Sequence, residues 1–357
     1  MGITRVILVF SVVFFYVLSP IYTLPLAPAL YVFGDSLVDS GNNNNLMTVA
    51  KVNYKPYGTD FPKGPTGRFT NGRTVADFIA EYLGLPYSPP FLSRDGPRSL
   101  TGINYASGSC GIMPETGKIS GRCISLLEQI NYFEGTVQRD LRTQITNPTQ
   151  LSEHISKSIY LFSIGSNDYL LNYLLPMNTT SKLYQPEPFA QVLIDRLSQQ
   201  LKRVYNLGAR KIVVFNIGPL GCIPAITRTH PHVGDCDEKT NQLVAYYNDR
   251  LNAMLTSLRS SLPGSKIVLG HANSLVNDAL KNPSKYGLTN VNNPCCTSMA
   301  NGTATCVPNV NPCVNSKQHF FWDAYHLTEA AYSIVASRCF SDKSACTPVN
   351  IQELVKM

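Results

Sequence analysis

Short, nearly continuous apolar runs alternate along the chain with longer stretches in which apolar residues recur every three or four positions. The short runs are Ala29–Phe33, Gly102–Ala106, Ile159–Ile164, Lys211–Asn216 and Lys266–Leu269. Their near-continuous apolar character predicts strands buried on both faces. The amphipathic stretches predict helices over Thr74–Leu83, Ser125–Gln144, Phe189–Asn206, Asp237–Ser261 and Leu327–Arg338. Gly84, Asn147-Pro148, Gly208 and Pro263-Gly264 punctuate the first four. Alternation of this kind predicts an α/β fold, a parallel sheet covered by helices on both sides. No stretch rich in Pro, Gly or Ser divides it, so residues 25–357 read as a single domain. Residues 290–318 break the pattern with Asn, Pro and four cysteines, and read as a disulfide-stapled excursion near the site end of the sheet.

The N-terminus adds an address. Arg5 precedes an apolar run from Val6 to Leu18, which Ser19-Pro20 ends. That length suits a secretory leader over residues 1–24, cleaved between Ser19 and Ala29, and falls short of the roughly 20 residues that span a bilayer. No second long apolar run follows, so no stable membrane span is expected. Ten cysteines follow the leader, an even number that points to disulfides formed during export. Short loops suggest Cys110–Cys123, Cys222–Cys236 and Cys339–Cys346, with two further bridges among Cys295, Cys296, Cys306 and Cys313 whose pairing stays open. Two sequons, at Asn178 and Asn301, are glycosylation candidates that agree with export. The destination expected is extracellular, the cell wall or apoplast included.

Charge excludes more than it suggests. Lys and Arg total 30 against 23 Asp and Glu, but the basic residues are dispersed, so nucleic-acid binding finds no support. The chain contains no HExxH, CxxC, GxGxxG or Walker-type loop, and no metal or organic cofactor is called for.

Ligands of an open α/β sheet bind at the carboxyl ends of its strands. The first predicted strand runs into Gly34-Asp35-Ser36, the second into Ser107-Gly108-Ser109-Cys110-Gly111, and the third into Gly165-Ser166-Asn167-Asp168. These ends bring a hydroxyl, approachable backbone N–H groups and a side-chain amide to one rim. A base is available in His326, just before the last helix. Asp323, three residues earlier, can lie beside its Nδ1 and leave Nε2 to take a serine proton. Thr328 is placed to cap that helix, and the competing role for Asp323 and His326 is merely to organise its start. Ser36 is the candidate nucleophile and Ser109 its nearest rival, although Ser107 stands where a GxSxG elbow needs glycine. Asp35 reads as a turn-forming residue bonded to local backbone. Trp322 is equally a pocket wall and a packing residue.

Taken together, these blocks resemble the GDSL-type esterase/lipases of the SGNH hydrolases, in their secreted plant form, from about residue 29 to 340. The likeness rests on Phe33-Gly34-Asp35-Ser36 with Asp39-Ser40-Gly41-Asn42-Asn43, on Gly67-Arg68-Phe69-Thr70-Asn71-Gly72-Arg73, on Gly165 to Asp168 and on Asp323 to His326, all in order. It implies a three-layer α/β/α sandwich around a mostly parallel, five-stranded, flavodoxin-like sheet. It also implies a catalytic triad of Ser36, His326 and Asp323. The oxyanion hole it implies uses the Ser36 N–H, an N–H of the second block and the Asn167 side chain. Counting from Asn104-Tyr105-Ala106, the family's oxyanion glycine falls on Ser109, with Gly108 just before it, and either residue can supply the donor.

The function expected is hydrolysis of carboxylic esters, of lipids or acylated polymers, through an acyl-enzyme on Ser36, by a monomer. An acyltransferase using the same residues, or a non-catalytic glycan- or lipid-binding protein on the same fold, are the alternatives.

Overall fold

A computed structural model describes residues 24–93 and 100–357. Apart from Leu24, the predicted leader lies outside them. Four parallel strands, β1 (Leu30–Gly34), β2 (Ile159–Ser163), β3 (Lys211–Phe215) and β4 (Lys266–Gly270), stand side by side in chain order. Leu30 pairs with Ile159, Ile159 with Lys211, and Lys211 with Lys266. β5 (Asn290–Pro294) and β6 (His319–Phe321) form a separate parallel pair. β7 (Cys346–Thr347) closes the main sheet antiparallel to β4.

The sheet has five strands, as expected, but one differs from those the apolar runs mark. Residues 102–106 form no ladder strand. They run extended along the free edge of β1, where Val32 N–H donates to Ile103 O (3.0 Å) and Tyr105 N–H to Val32 O (2.8 Å). Counting this segment, the parallel order is 2-1-3-4-5, the flavodoxin-like arrangement. The fifth ladder strand is instead β7, two residues long and too short to carry a periodic signal.

The helices that cover the sheet are α1 (Val75–Tyr82), α2 (Leu126–Gly135), α3 (Pro148–Lys157), α4 (Pro186–Asn206), α5 (Glu238–Ser261), α6 (Ala272–Lys281), α7 (Glu329–Ser341) and the short α8 (Ile351–Leu354). The second predicted helix is interrupted, because α2 passes at Gly135 into a wider π turn over Thr136–Leu141. Side-chain alternation along β1 explains the three layers. Tyr31 and Phe33 pack with α2, α4 and α5, whereas Leu30 and Val32 pack with α1, α6, α7 and α8. A smaller core of Val52, Tyr57, Phe69, Trp322 and the cysteines 295, 296 and 306 fills the excursion.

All ten cysteines are paired, as Cys110–Cys123, Cys222–Cys236, Cys339–Cys346, Cys295–Cys313 and Cys296–Cys306. The last two bridges resolve the pairing that spacing left open. No helix among the described residues is long and apolar enough to cross a membrane.

Candidate active site

β1 delivers its turn through a close approach that admits only glycine at its end. A Cβ on Gly34 would lie 2.4 Å from Ser163 O and 2.5 Å from a Val38 methyl. The Gly34 amide group is held by the buried Gln129 side chain, which accepts from its N–H (2.9 Å) and donates to its carbonyl (2.8 Å). Asp35 then turns the chain, its Oδ1 accepting from Leu37 N–H at 3.0 Å, the turn-forming role expected of it. Burial pushes the Asp35 carboxyl up to about 7, against the pull of the Leu37 N–H and of nearby His326.

Ser36 emerges at the carboxyl end of the sheet, where its hydroxyl lies 2.9 Å from His326 Nε2. His326 Nδ1 sits 2.9 and 2.8 Å from the two oxygens of Asp323, which is fully buried. A Nδ1–H donated to the carboxylate leaves Nε2 as acceptor for the Ser36 O–H, the tautomer that lets an imidazole take the hydroxyl's proton. Asp323 Oδ1 also accepts from the backbone N–H groups of Tyr325 and His326, both at 2.8 Å. The turn is therefore rigid before α7 begins, and Thr328 caps that helix by accepting from Ala331 N–H at 3.2 Å. The helix-organising contacts expected of the turn are present, and the same carboxylate meets the His326 ring.

The second and third blocks meet beside Ser36. Asp168 accepts from the N–H groups of Ile112 (2.8 Å) and Met113 (3.0 Å) and from the Thr116 hydroxyl (2.7 Å), which binds the two loops together. Asn167 Nδ2 donates one hydrogen to Cys110 O at 3.0 Å and keeps a second. The Gly108 N–H is taken, since it donates to Asp39 Oδ2 at 3.1 Å. Among the described residues, the N–H groups of Ser36 and Ser109 have no acceptor. Ser109 holds a left-handed backbone at φ 64°, and its hydroxyl is buried without a partner among the described residues.

A pocket of about 120 Å³ opens from Ser36 and His326, walled mainly by apolar side chains such as Leu170, Phe215, Ile223 and Val276. Trp322 is not in that wall. It is fully buried against Tyr57, ring centroids 6.4 Å apart, and so serves packing. The two sequons differ in accessibility. Asn301 is exposed, whereas Asn178 is half-buried with its Nδ2 already donating to the Asn172 side chain at 3.3 Å.

Other residues brace the site, and one of them, Tyr57, carries no signal in a single sequence. Tyr57, fully buried, donates its hydroxyl to Asp323 Oδ2 at 2.5 Å and accepts from Cys306 N–H at 3.0 Å, which ties the excursion to the carboxylate. Asn42 Nδ2 donates to the carbonyls of Asn104 (2.9 Å) and Ala106 (2.8 Å), so the polar run after Ser36 clamps the second block. The segment from Gly67 to Arg73 braces the helix that follows His326. Asn71 Oδ1 accepts from Glu329 N–H at 2.8 Å, Thr70 donates to Leu327 O at 2.9 Å, and the Phe69 ring packs on His326 at 5.0 Å. The unusual blocks in the sequence are thus largely the scaffolding of one constellation.

Comparison with known proteins assigns a family. The GDSL-like Lipase/Acylhydrolase family profile matches residues 30–339. GDSL esterase/lipase 7 of Arabidopsis thaliana is 46% identical over 340 residues, covering 93% of either chain. A second Arabidopsis thaliana GDSL esterase/lipase is 42% identical over 335 residues, covering 93% of this chain and 86% of its own. Among solved structures, an extracellular lipase of Streptomyces rimosus aligns over 87% of this chain and 99% of its own, at 14% identity and TM-score 0.32, a likeness that adds nothing to the assignment. A profile match across the body of the domain and relatives of such identity leave one assignment: the chain belongs to the GDSL-like lipase/acylhydrolase family and is an esterase/lipase of that family.

Proposed function

We propose that the protein is a secreted carboxylic ester hydrolase that works through an acyl-enzyme on Ser36. His326 removes the Ser36 proton as Oγ attacks the ester carbonyl, and Asp323 stabilises the imidazolium that forms. The N–H groups of Ser36 and Ser109 and the Asn167 amide receive the oxyanion. Each such donor is worth about 3–4 kcal/mol of barrier. When the C–O bond to the alcohol breaks, His326 returns the proton to the leaving oxygen. Water then attacks the acyl carbonyl with His326 again as base, releasing the acid and regenerating Ser36.

The observation that carries this reading is the 2.9 Å contact between Ser36 Oγ and His326 Nε2, across 290 residues of sequence. Export is supported by the leader-like residues 1–24 and by five disulfides with no free cysteine. The test is covalent labelling by an organophosphonate, with hydrolysis of p-nitrophenyl esters of graded acyl length. We expect one label, on Ser36, and at least a hundredfold loss of turnover in Ser36→Ala. Activity that survives Ser36→Ala but not Ser109→Ala overturns the assignment. N-terminal sequencing of the exported protein, expected to begin between residues 20 and 29, tests the leader.

A further inference from the structure

The apolar pocket at Ser36 adjoins a second one. Asn216 and Pro219 line both the apolar pocket and this second, polar cleft of about 960 Å³ at the carboxyl ends of β3 and β4. Two helices wall this cleft. α5 contributes Glu238, Asn241, Gln242, Ala245, Asn248, Asp249 and Asn252, whose spacing of one or three residues places them on a single helical face. α6 contributes Asn273, Ser274 and Asn277 from one face of its own.

The composition of these faces is unusual for solvated helix surface, which is ordinarily rich in Lys and Glu. Amides dominate instead, and their orientation is fixed from behind. Asn248 accepts from Ile217 N–H (3.0 Å) and donates to Ile217 O (2.9 Å). Asn216 Oδ1 accepts from Asn273 N–H (2.9 Å), and Asn277 Nδ2 donates to Asn273 Oδ1 (3.1 Å). That leaves the Asn216 amide nitrogen and the Asn277 amide oxygen, with exposed Gln242 and Asn252, to offer donors and acceptors to a ligand.

A ligand that uses both kinds of group, without charge, is a hydroxyl-rich one. Anionic ligands are disfavoured because Asp235, Glu238 and Asp249 line the cleft against Lys281 and His271. We infer that the cleft binds a neutral carbohydrate chain, so that the ester cleaved at Ser36 joins an apolar acyl group to a polysaccharide or oligosaccharide. The acyl group occupies the apolar pocket, and the sugar chain is held by the amide-lined walls. This inference rests on the ester-hydrolase reading of Ser36, but its binding half can be tested without turnover.

The binding test uses the exported, mature chain carrying Ser36→Ala, titrated calorimetrically with unacylated cellohexaose, xylohexaose and, as a charged control, hexagalacturonate. Saturable binding of a neutral hexamer is expected, weakened at least tenfold in Gln242→Ala/Asn252→Ala/Asn277→Ala. The kinetic test gives the otherwise unaltered enzyme, with and without those three substitutions, hexanoyl-cellohexaose and p-nitrophenyl hexanoate. The triple variant is expected to raise KM for the sugar ester at least tenfold and to leave p-nitrophenyl hexanoate unchanged. Failure of every neutral hexamer to bind, tighter binding of the uronate, or equal effects on both esters overturns the carbohydrate assignment. Failure of the esterase reading is separate, because it appears as p-nitrophenyl hexanoate turnover that Ser36→Ala does not abolish.

Discussion

The backbone N–H of Gly108 donates to Asp39 Oδ2 at 3.1 Å, a contact that joins the loop after β1 to the loop beside it. It leaves the Ser109 N–H, which has no acceptor among the described residues, free for the donor role proposed above. Ser109 bears two costs there, a positive φ of 64° and a buried hydroxyl with no partner among the described residues. Glycine removes both, against about 0.5–1 kcal/mol for the freer unfolded chain. Ser109→Gly is therefore expected to stabilise the protein by about 1 kcal/mol in denaturant unfolding and to keep its esterase kcat. Loss of turnover in this variant would mean that the Ser109 hydroxyl takes part in the chemistry.

Tyr57 is the partner of Asp323 farthest away in sequence. Burial and the neighbouring Asp323 charge hold its phenol pKa well above 10, so it stays a donor across the working pH range. A hydrogen bond to a charged acceptor contributes roughly 1.5–3 kcal/mol, and this one steadies the carboxylate that orients His326. In Tyr57→Phe we expect kcat for a p-nitrophenyl ester to fall about tenfold or more with KM unchanged. A variant with normal kcat and only a lowered melting temperature would show that Tyr57 merely fills space.

Stability should depend on pH in a direction opposite to the usual one for carboxylates. Burial raises Asp35 to about 7, and Asp39 and Asp168 to about 6. Each binds its proton more tightly folded than unfolded, where its pKa is about 3.9. The folded state is thus favoured at low pH, and stability falls as pH rises from about 4 to about 7. His154 and His271, lowered by burial, oppose this below pH 6.5. Calorimetry should give a melting temperature several degrees higher at pH 5 than at pH 7.5, and Asp39→Asn should flatten the profile. A flat or rising profile in the wild type would contradict the burial of these groups.

Much of the fold is written in local pattern. Runs such as residues 212–215 are apolar throughout because helices cover both faces of the sheet, and that signal needs no tertiary information. β7 is invisible for the converse reason, because two residues, Cys346 and Thr347, pair only because β4 is already there. The site divides in the same way. Ser36, Asn167, Asp323 and His326 stand at strand ends and a helix entry, where sequence marks them. Tyr57 stands in an irregular turn and Gln129 within α2, and no local pattern singles out either. Their contacts with Asp323 and Gly34 arise only when the chain closes on itself.

Arg68 provides the most demanding test of how the site is braced. Its guanidinium lies over the Phe61 ring at 4.4 Å and meets Asp77 in a fork, Nε to Oδ2 at 2.8 Å and Nη2 to Oδ1 at 2.7 Å, with both side chains buried. Nη1 also donates to Ser40 O at 3.3 Å, so one residue joins the loop after Ser36 to the start of α1. Asp77 has a second duty there, accepting from Thr74 N–H at 2.8 Å in the capping box. Removing one member of a buried pair strands the other, at a cost of about 3–5 kcal/mol. Arg68→Ala is expected to lose about that much in denaturant unfolding. Arg68→Lys, which keeps the charge but not the fork, should lose less. Arg68→Met with Asp77→Leu, which removes both charges, should recover part of the loss. If Arg68→Ala unfolds with wild-type free energy, the pair is not what anchors α1 to the Ser36 loop.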